Sequence, residues 1–95
     1  MDFDWNSPAF EWDSSLTLRD IEESFEDPFA IKLLPDSPRF SVQSRYFNLG
    51  RTSHGVGIFS VYRTNGKVFR VIFARVMGSD ETFFYQRKVN QALAP

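Results

Sequence analysis

The residues best suited to chemistry in this chain lie in its second half, as a set of arginines and a glutamate–tyrosine pair. Arg70 and Arg75 stand in Val68-Phe69-Arg70-Val71-Ile72-Phe73-Ala74-Arg75. A guanidinium fork there can hold two phosphate oxygens and offset charge developing on phosphorus. Their spacing puts them on opposite faces of a regular strand, so they share a site only if a bulge intervenes or Arg75 lies at the strand end. Alternatively, Arg75 pairs with Asp80 or Glu81 and fixes the element that follows. Glu81 and Tyr85 are four apart, hence on one helix face. Glu81 can serve as a base and Tyr85 as a hydrogen-bond donor to a phosphate. Equally, Glu81 suits a helix first turn through the dipole, and Tyr85 suits packing on a sheet. Arg45, Arg51, Arg63 and Lys67 are either phosphate contacts or exposed strand and turn residues; Arg63 and Lys67 read most simply as a solvated pair at a hairpin tip. His54, in Ser53-His54-Gly55, titrates in the range of acid/base work, but a lone turn histidine is usually just exposed.

Charge is divided sharply along the chain. Residues 1–38 carry ten acids and two bases, and residues 39–95 carry nine bases and two acids. Seven of those nine bases are arginine, which favours bidentate phosphate contacts over generic solvation. Two readings follow. The oppositely charged halves attract within one fold, or the Arg-rich half presents a field to phosphates or an acidic partner.

Composition excludes several classes. With no Cys there is no disulfide framework and no thiolate metal site, and a single His excludes paired-histidine catalysis and multi-His zinc sites. Glycine-rich phosphate loops, nucleophile elbows and carboxylate clusters with metal spacing are all missing, so neither a metal nor a cofactor is expected. No apolar run reaches the roughly 20 residues of a membrane-spanning helix. The start, Met1-Asp2-Phe3-Asp4, lacks a secretory pattern, so a cytoplasmic domain is expected. The 95 residues suit a single domain spanning 1–95.

The elements that must position these residues can be read in order. Phe3-Asp4-Trp5-Asn6-Ser7 and Phe10-Glu11-Trp12-Asp13-Ser14 echo each other, and only one need be a strand. Thr17 to Glu26 predicts a short helix capped by Thr17 and Asp20, with Leu18, Ile21 and Phe25 as its apolar stripe and Asp27-Pro28 as its stop. Strands are expected over 29–34, 40–49, 56–64 and 67–76. Asn65-Gly66 predicts a two-residue hairpin turn that pairs Thr64 with Lys67, Tyr62 with Phe69, Ser60 with Val71 and Ile58 with Phe73. One face then holds Val56, Ile58, Tyr62, Phe69, Val71 and Phe73; the other holds Phe59, Val61, Arg63, Val68, Arg70 and Ile72. The second is no ordinary core face, because a guanidinium keeps its charge and needs partners. A final helix runs from a cap at Ser79 or Asp80 to about Leu93. The sum is an α+β domain, a four-stranded antiparallel meander with a possible added N-terminal strand, packed by a short N-terminal and a C-terminal helix.

Several segments in this order resemble the BrnT family of bacterial type II toxins, which is similar in fold to RelE and ParE toxins. They are Phe3-Asp4-Trp5-Asn6, Phe25-Glu26-Asp27-Pro28-Phe29-Ala30, Arg45-Tyr46, Leu49-Gly50-Arg51-Thr52-Ser53, the run from Asn65 to Arg75, and the Glu81 and Tyr85 spacing. The resemblance implies a RelE-like fold and a metal-independent endoribonuclease that arrests translation. It implies a ribbon-helix-helix, BrnA-like antitoxin as partner, contact with DNA only through that antitoxin, and no membrane partner. On this reading Arg70, Arg75, Glu81 and Tyr85 are catalytic, and Arg45, Arg51, Arg63 and Lys67 contact RNA. The chain departs from the family in Glu11-Trp12-Asp13-Ser14-Ser15, in Gln43-Ser44 before Arg45, and in the residues around Glu81, where bases are replaced. These departures carry the alternative: a non-catalytic binding module that pairs with an antitoxin or another protein.

Overall fold

The computed structural model describes residues 2–6, 11–33 and 45–94. The expected turn at Pro35–Pro38, the strand portion over 40–44 and the break at Ser7-Pro8 lie outside them. The described elements are β1 (Asp2–Phe3), β2 (Glu11–Trp12), α1 (Leu18–Glu26), β3 (Ile31–Leu33), β4 (Tyr46–Arg51), β5 (Gly57–Thr64), β6 (Val68–Val76) and α2 (Ser79–Leu93). They form a small α+β fold around one mixed sheet. β3, β4, β5 and β6 pair antiparallel in chain order. β1 and β2 both run parallel to β6 and share its outer edge. Both halves of the N-terminal echo are therefore strands, where one was the minimum expected.

α1 forms for the reasons its sequence gives. The Thr17 hydroxyl accepts from Asp20 N at 3.0 Å, and the Asp20 carboxylate accepts from Thr17 N at 2.9 Å, which satisfies two otherwise orphaned amides. Ile21 and Phe25 are buried while Leu18 stays at the surface. With Leu16, Ile58, Tyr62, Val71 and Ala74 they make the core under α1, flanked by Phe3, Trp5, Tyr46 and Phe69. Gly50 lets α1 sit close: a Cβ there would lie 1.8 Å from the Ser24 carbonyl oxygen. A smaller cluster of Leu49, Met77 and Tyr85, joined by Ile31, Phe59 and Val89, seats α2 on the opposite sheet face.

The β5–β6 hairpin differs from expectation in two ways. Its first Cα pair is Thr64 with Phe69, not Thr64 with Lys67. The connection is longer because the Asn65 side chain folds inward and accepts from both Lys67 N and Val68 N, at 2.9 and 3.0 Å, while Gly66 takes φ +93°. Asparagine mimics a backbone turn here instead of filling a two-residue type I′ loop. The second difference is a register shift between Val61 and Tyr62: Tyr62 pairs with Val71, but Val61 pairs with Phe73. Ile72 is thus an extra residue on β6. Beyond it the faces exchange, so Ala74 joins the core in place of Phe73, correcting the expected face assignment.

α2 begins one residue earlier than the cap expected at Ser79 or Asp80. Gly78 is the N-cap, and the Glu81 carboxylate accepts from its amide at 2.7 Å. Among the described residues no helix is long and apolar enough to cross a membrane.

Candidate active site

The extra residue in β6 decides what the second sheet face presents. Arg63 is opposite Arg70, Val61 opposite Phe73, and Phe59 opposite Arg75. Alternate residues of β5 share a face, so Arg70, Phe73 and Arg75 all project to the same side as Phe59, Val61 and Arg63. The strand arginines, expected on opposite faces of a regular strand, are brought to one face by the bulge. On β4, Phe47 pairs with Val61 and Leu49 with Phe59, which extends this face. Phe47 and Phe59 stack at 5.8 Å, and Phe59 meets Phe73 edge-on at 6.4 Å. Phe47, Val61 and Phe73 remain half-exposed, and Arg63 and Arg70 are exposed.

Both β6 arginines already have a carboxylate. Arg75 makes two 2.7 Å hydrogen bonds to the two oxygens of Glu81 and lies 4.5 Å over the Phe59 ring. The paired hydrogen bonds pull Glu81 below the usual carboxylate range and raise Arg75 above its ordinary value. Arg70 Nη2 is 3.0 Å from Asp4 Oδ2. Asp4 reaches it because Phe3 turns into the core, so the next residue of the N-terminal segment projects to the other face. The Asp4 carboxyl is held low, first by the Asn6 amide and then by Arg70.

Tyr85 and Arg51 belong to a different arrangement. The buried Tyr85 hydroxyl donates to Asp27 Oδ2 at 2.5 Å, and the same oxygen accepts from Arg51 N at 2.8 Å. The Arg51 guanidinium lies 5.0 Å over the Tyr85 ring and donates to Gln86 Oε1 at 3.1 Å. Burial, reinforced by the bond to Asp27, pushes the Tyr85 hydroxyl up to about 12. Although Glu81 and Tyr85 share α2, Glu81 engages β6 while Tyr85 reaches the end of α1. Tyr85 therefore orients α2. A cavity of about 520 Å³ opens beside this cluster, lined by Arg19, Glu23, Phe29 and Arg51 among others.

Of the remaining candidates, Lys67 is exposed at the hairpin tip. Arg45, just before β4, is half-buried, and its Nε has no hydrogen-bond partner among the described residues. His54 is exposed beside Ser53, whose amide and hydroxyl both donate to Glu23 at 3.0 and 2.9 Å. No cluster of metal-ligating side chains occurs among the described residues. Sequence reasoning missed Asp4 and Asp27 as site residues. Asp27 was legible only as a helix stop before proline, and Asp4 only as an alternating strand residue. Their partners lie 58 and 66 positions away, beyond any local pattern.

Phe83 is 70% exposed. Phe84 lines a shallow apolar groove of about 250 Å³ with Leu33, Leu49 and Phe59. Comparison with known proteins finds no matching family model and no matching curated protein.

Proposed function

We propose that this chain is a RelE-like toxin of a type II toxin–antitoxin pair, a metal-independent endoribonuclease that acts through the second sheet face. The observation that carries this reading is the Ile72 bulge, which aligns Arg70, Phe73 and Arg75 beside Arg63 and Phe59. An RNA strand meeting that face finds guanidinium groups for its phosphates and half-exposed rings for its bases, the two elements of single-strand recognition. Cleavage by the neighbouring 2′-hydroxyl forms a 2′,3′-cyclic phosphate and breaks the bond from phosphorus to the 5′-oxygen. It needs an acceptor for the 2′ proton, cations for the charge building on phosphorus, and a proton for the leaving 5′-oxygen, which solvent supplies at this open face. In this reading Arg70 holds the phosphate and Arg75 adds positive charge. Glu81, kept ionised by Arg75, is the acceptor. Tyr85 has no contact with the reacting groups and serves to seat α2. A ribbon-helix-helix antitoxin would neutralise the protein by covering the arginine face with acidic residues.

A second reading, a non-catalytic binding module, is favoured by exposed Phe83, by the apolar groove that Phe84 lines and by the carboxylates already seated on Arg70 and Arg75. Expression of the chain alone separates the two. Growth arrest accompanied by fragmentation of cellular RNA supports the nuclease. Normal growth with intact RNA, at a level where the folded protein is detected, supports the binding module.

A further inference from the structure

The hairpin end of the second face pairs Arg70, which the cleavage chemistry uses, with an arginine that it does not. Arg63 and Arg70 are direct cross-strand partners. Like charges directly opposite each other in a sheet repel, so the pair calls for anions. Only half of that demand is met within the described residues: Arg70 has Asp4 at 3.0 Å, whereas Arg63 forms no ion pair among them. Between the two arginines lies a pocket of about 290 Å³, lined also by Thr64, Asn65 and Val68. Its rim is fixed. Asn65 Oδ1 accepts from two backbone amides, and the Thr64 hydroxyl donates to Val68 O at 2.9 Å. The Asp4–Arg70 contact is at the surface, with the Arg70 side chain 53% exposed, where such a pair is weak enough to exchange for a better ligand.

We infer that this pocket is a phosphate site formed by Arg63 and Arg70, and that Asp4 is its built-in competitor. With no ligand, the Asp4 carboxylate holds one edge of Arg70. A phosphate group bridges both guanidinium forks and displaces it, because its tetrahedral oxygens can meet two forks at once where the Asp4 carboxylate serves a single nitrogen. This deepens the nuclease reading, since it assigns a holding site on the face that would carry the RNA. The N-terminal segment thereby sets the affinity of that face from within the chain.

The test is titration of the full chain with inorganic phosphate and with pyrophosphate at low ionic strength, followed by amide shifts in NMR. Shifts should centre on residues 63–70 and on Asp4. Asp4→Asn should tighten binding about fivefold, the most that loss of a surface ion-pair competitor gives. Arg63→Ala should abolish saturable binding, and Arg63→Lys should restore part of it, which a purely structural role for Arg63 would not produce. Circular dichroism confirms that each variant is folded. Competition by an oligoribonucleotide with and without a 5′-phosphate then identifies the source. Equal displacement by both supports a backbone phosphodiester in the pocket, and displacement only by the phosphorylated form supports a terminal phosphate. The inference is overturned if phosphate binds Arg63→Ala as it binds the native chain, if Asp4→Asn leaves the affinity unchanged, or if neither oligonucleotide competes. Cleavage is scored separately: an uncleaved RNA with phosphate binding intact counts against the nuclease reading alone.

Discussion

Arg75 and Glu81 meet through two parallel 2.7 Å hydrogen bonds that join the end of β6 to the first turn of α2. Glu81 also accepts from Gly78 N, so one carboxylate both caps the helix and fixes its origin on the sheet. Replacing it with Gln keeps the shape and removes the charge. We expect Glu81→Gln to lower stability by about 1 kcal/mol in urea denaturation at neutral pH, the scale of a part-exposed charged pair. The pH dependence follows from the lowered Glu81 pKa. A carboxyl depressed in the folded state contributes stability above its unfolded value, near 4.5, and loses that contribution as pH falls through its folded value. The native chain should therefore begin to lose its advantage over Glu81→Gln as pH falls below about 4.5 and keep none once pH has passed the lowered folded value; an advantage undiminished by acidification would contradict the pairing.

Tyr85 gives the opposite window. Its hydroxyl is raised from 10.0 to about 12, so between those values the folded state keeps a proton that the unfolded state has released. Stability must then fall as pH rises from 10 to 12. Tyr85→Phe should make this fall shallower, leaving the share of Tyr62, whose hydroxyl is also raised by burial, and should also cost stability at neutral pH, because it leaves Asp27 with one donor fewer. Thermal melts of both proteins across that range measure the difference.

At Gly50 the backbone of α1 leaves no room for a side chain on the sheet. A methyl group there meets backbone rather than a movable side chain, so neither partner can swing aside. Gly50→Ala should destabilise by about 3 kcal/mol or more, read as a lower denaturation midpoint. A neutral effect would show that α1 sits farther from β4.

Contacts with RNA on the second face should be salt-sensitive. For single strands the logarithm of affinity falls by about 0.7 per neutralised phosphate for each tenfold rise in salt. Arg63→Ala should reduce that slope by about this amount, whereas Lys88→Ala, on α2, should leave it unchanged. Filter binding of a single-stranded RNA over a salt series supplies both slopes.

The helices and the antiparallel order of β3 to β6 were legible because their signals are local. Thr17 and Asp20 are three residues apart, and alternation marks strands within a few positions. The hairpin register was not legible, because it depends on how Asn65 uses its side chain. A two-residue turn and the observed turn differ by a rotation that composition cannot specify. The bulge at Ile72 carried even less signal, since Val71-Ile72-Phe73 fits either face equally well. That single extra residue moves Phe73 out of the core and Arg75 onto the face of Arg70. The arginines were recognisable as phosphate ligands by type, but the carboxylates seated on them were only partly so. Glu81 was foreseen because it is six positions from Arg75; Asp4 was not, because it lies 66 positions from Arg70 and is brought to it by the pairing of β1 with β6.

The most direct test of the account is single-turnover cleavage of a radiolabelled RNA by the purified chain in excess EDTA, with Arg70→Ala measured beside it. The account predicts cleavage by the native chain that persists in the chelator. It also predicts a loss on the order of 100-fold or more in folded Arg70→Ala, the usual consequence of removing a preorganised charge from a developing oxyanion. Undetectable cleavage by the native chain, or full activity in folded Arg70→Ala, would contradict it.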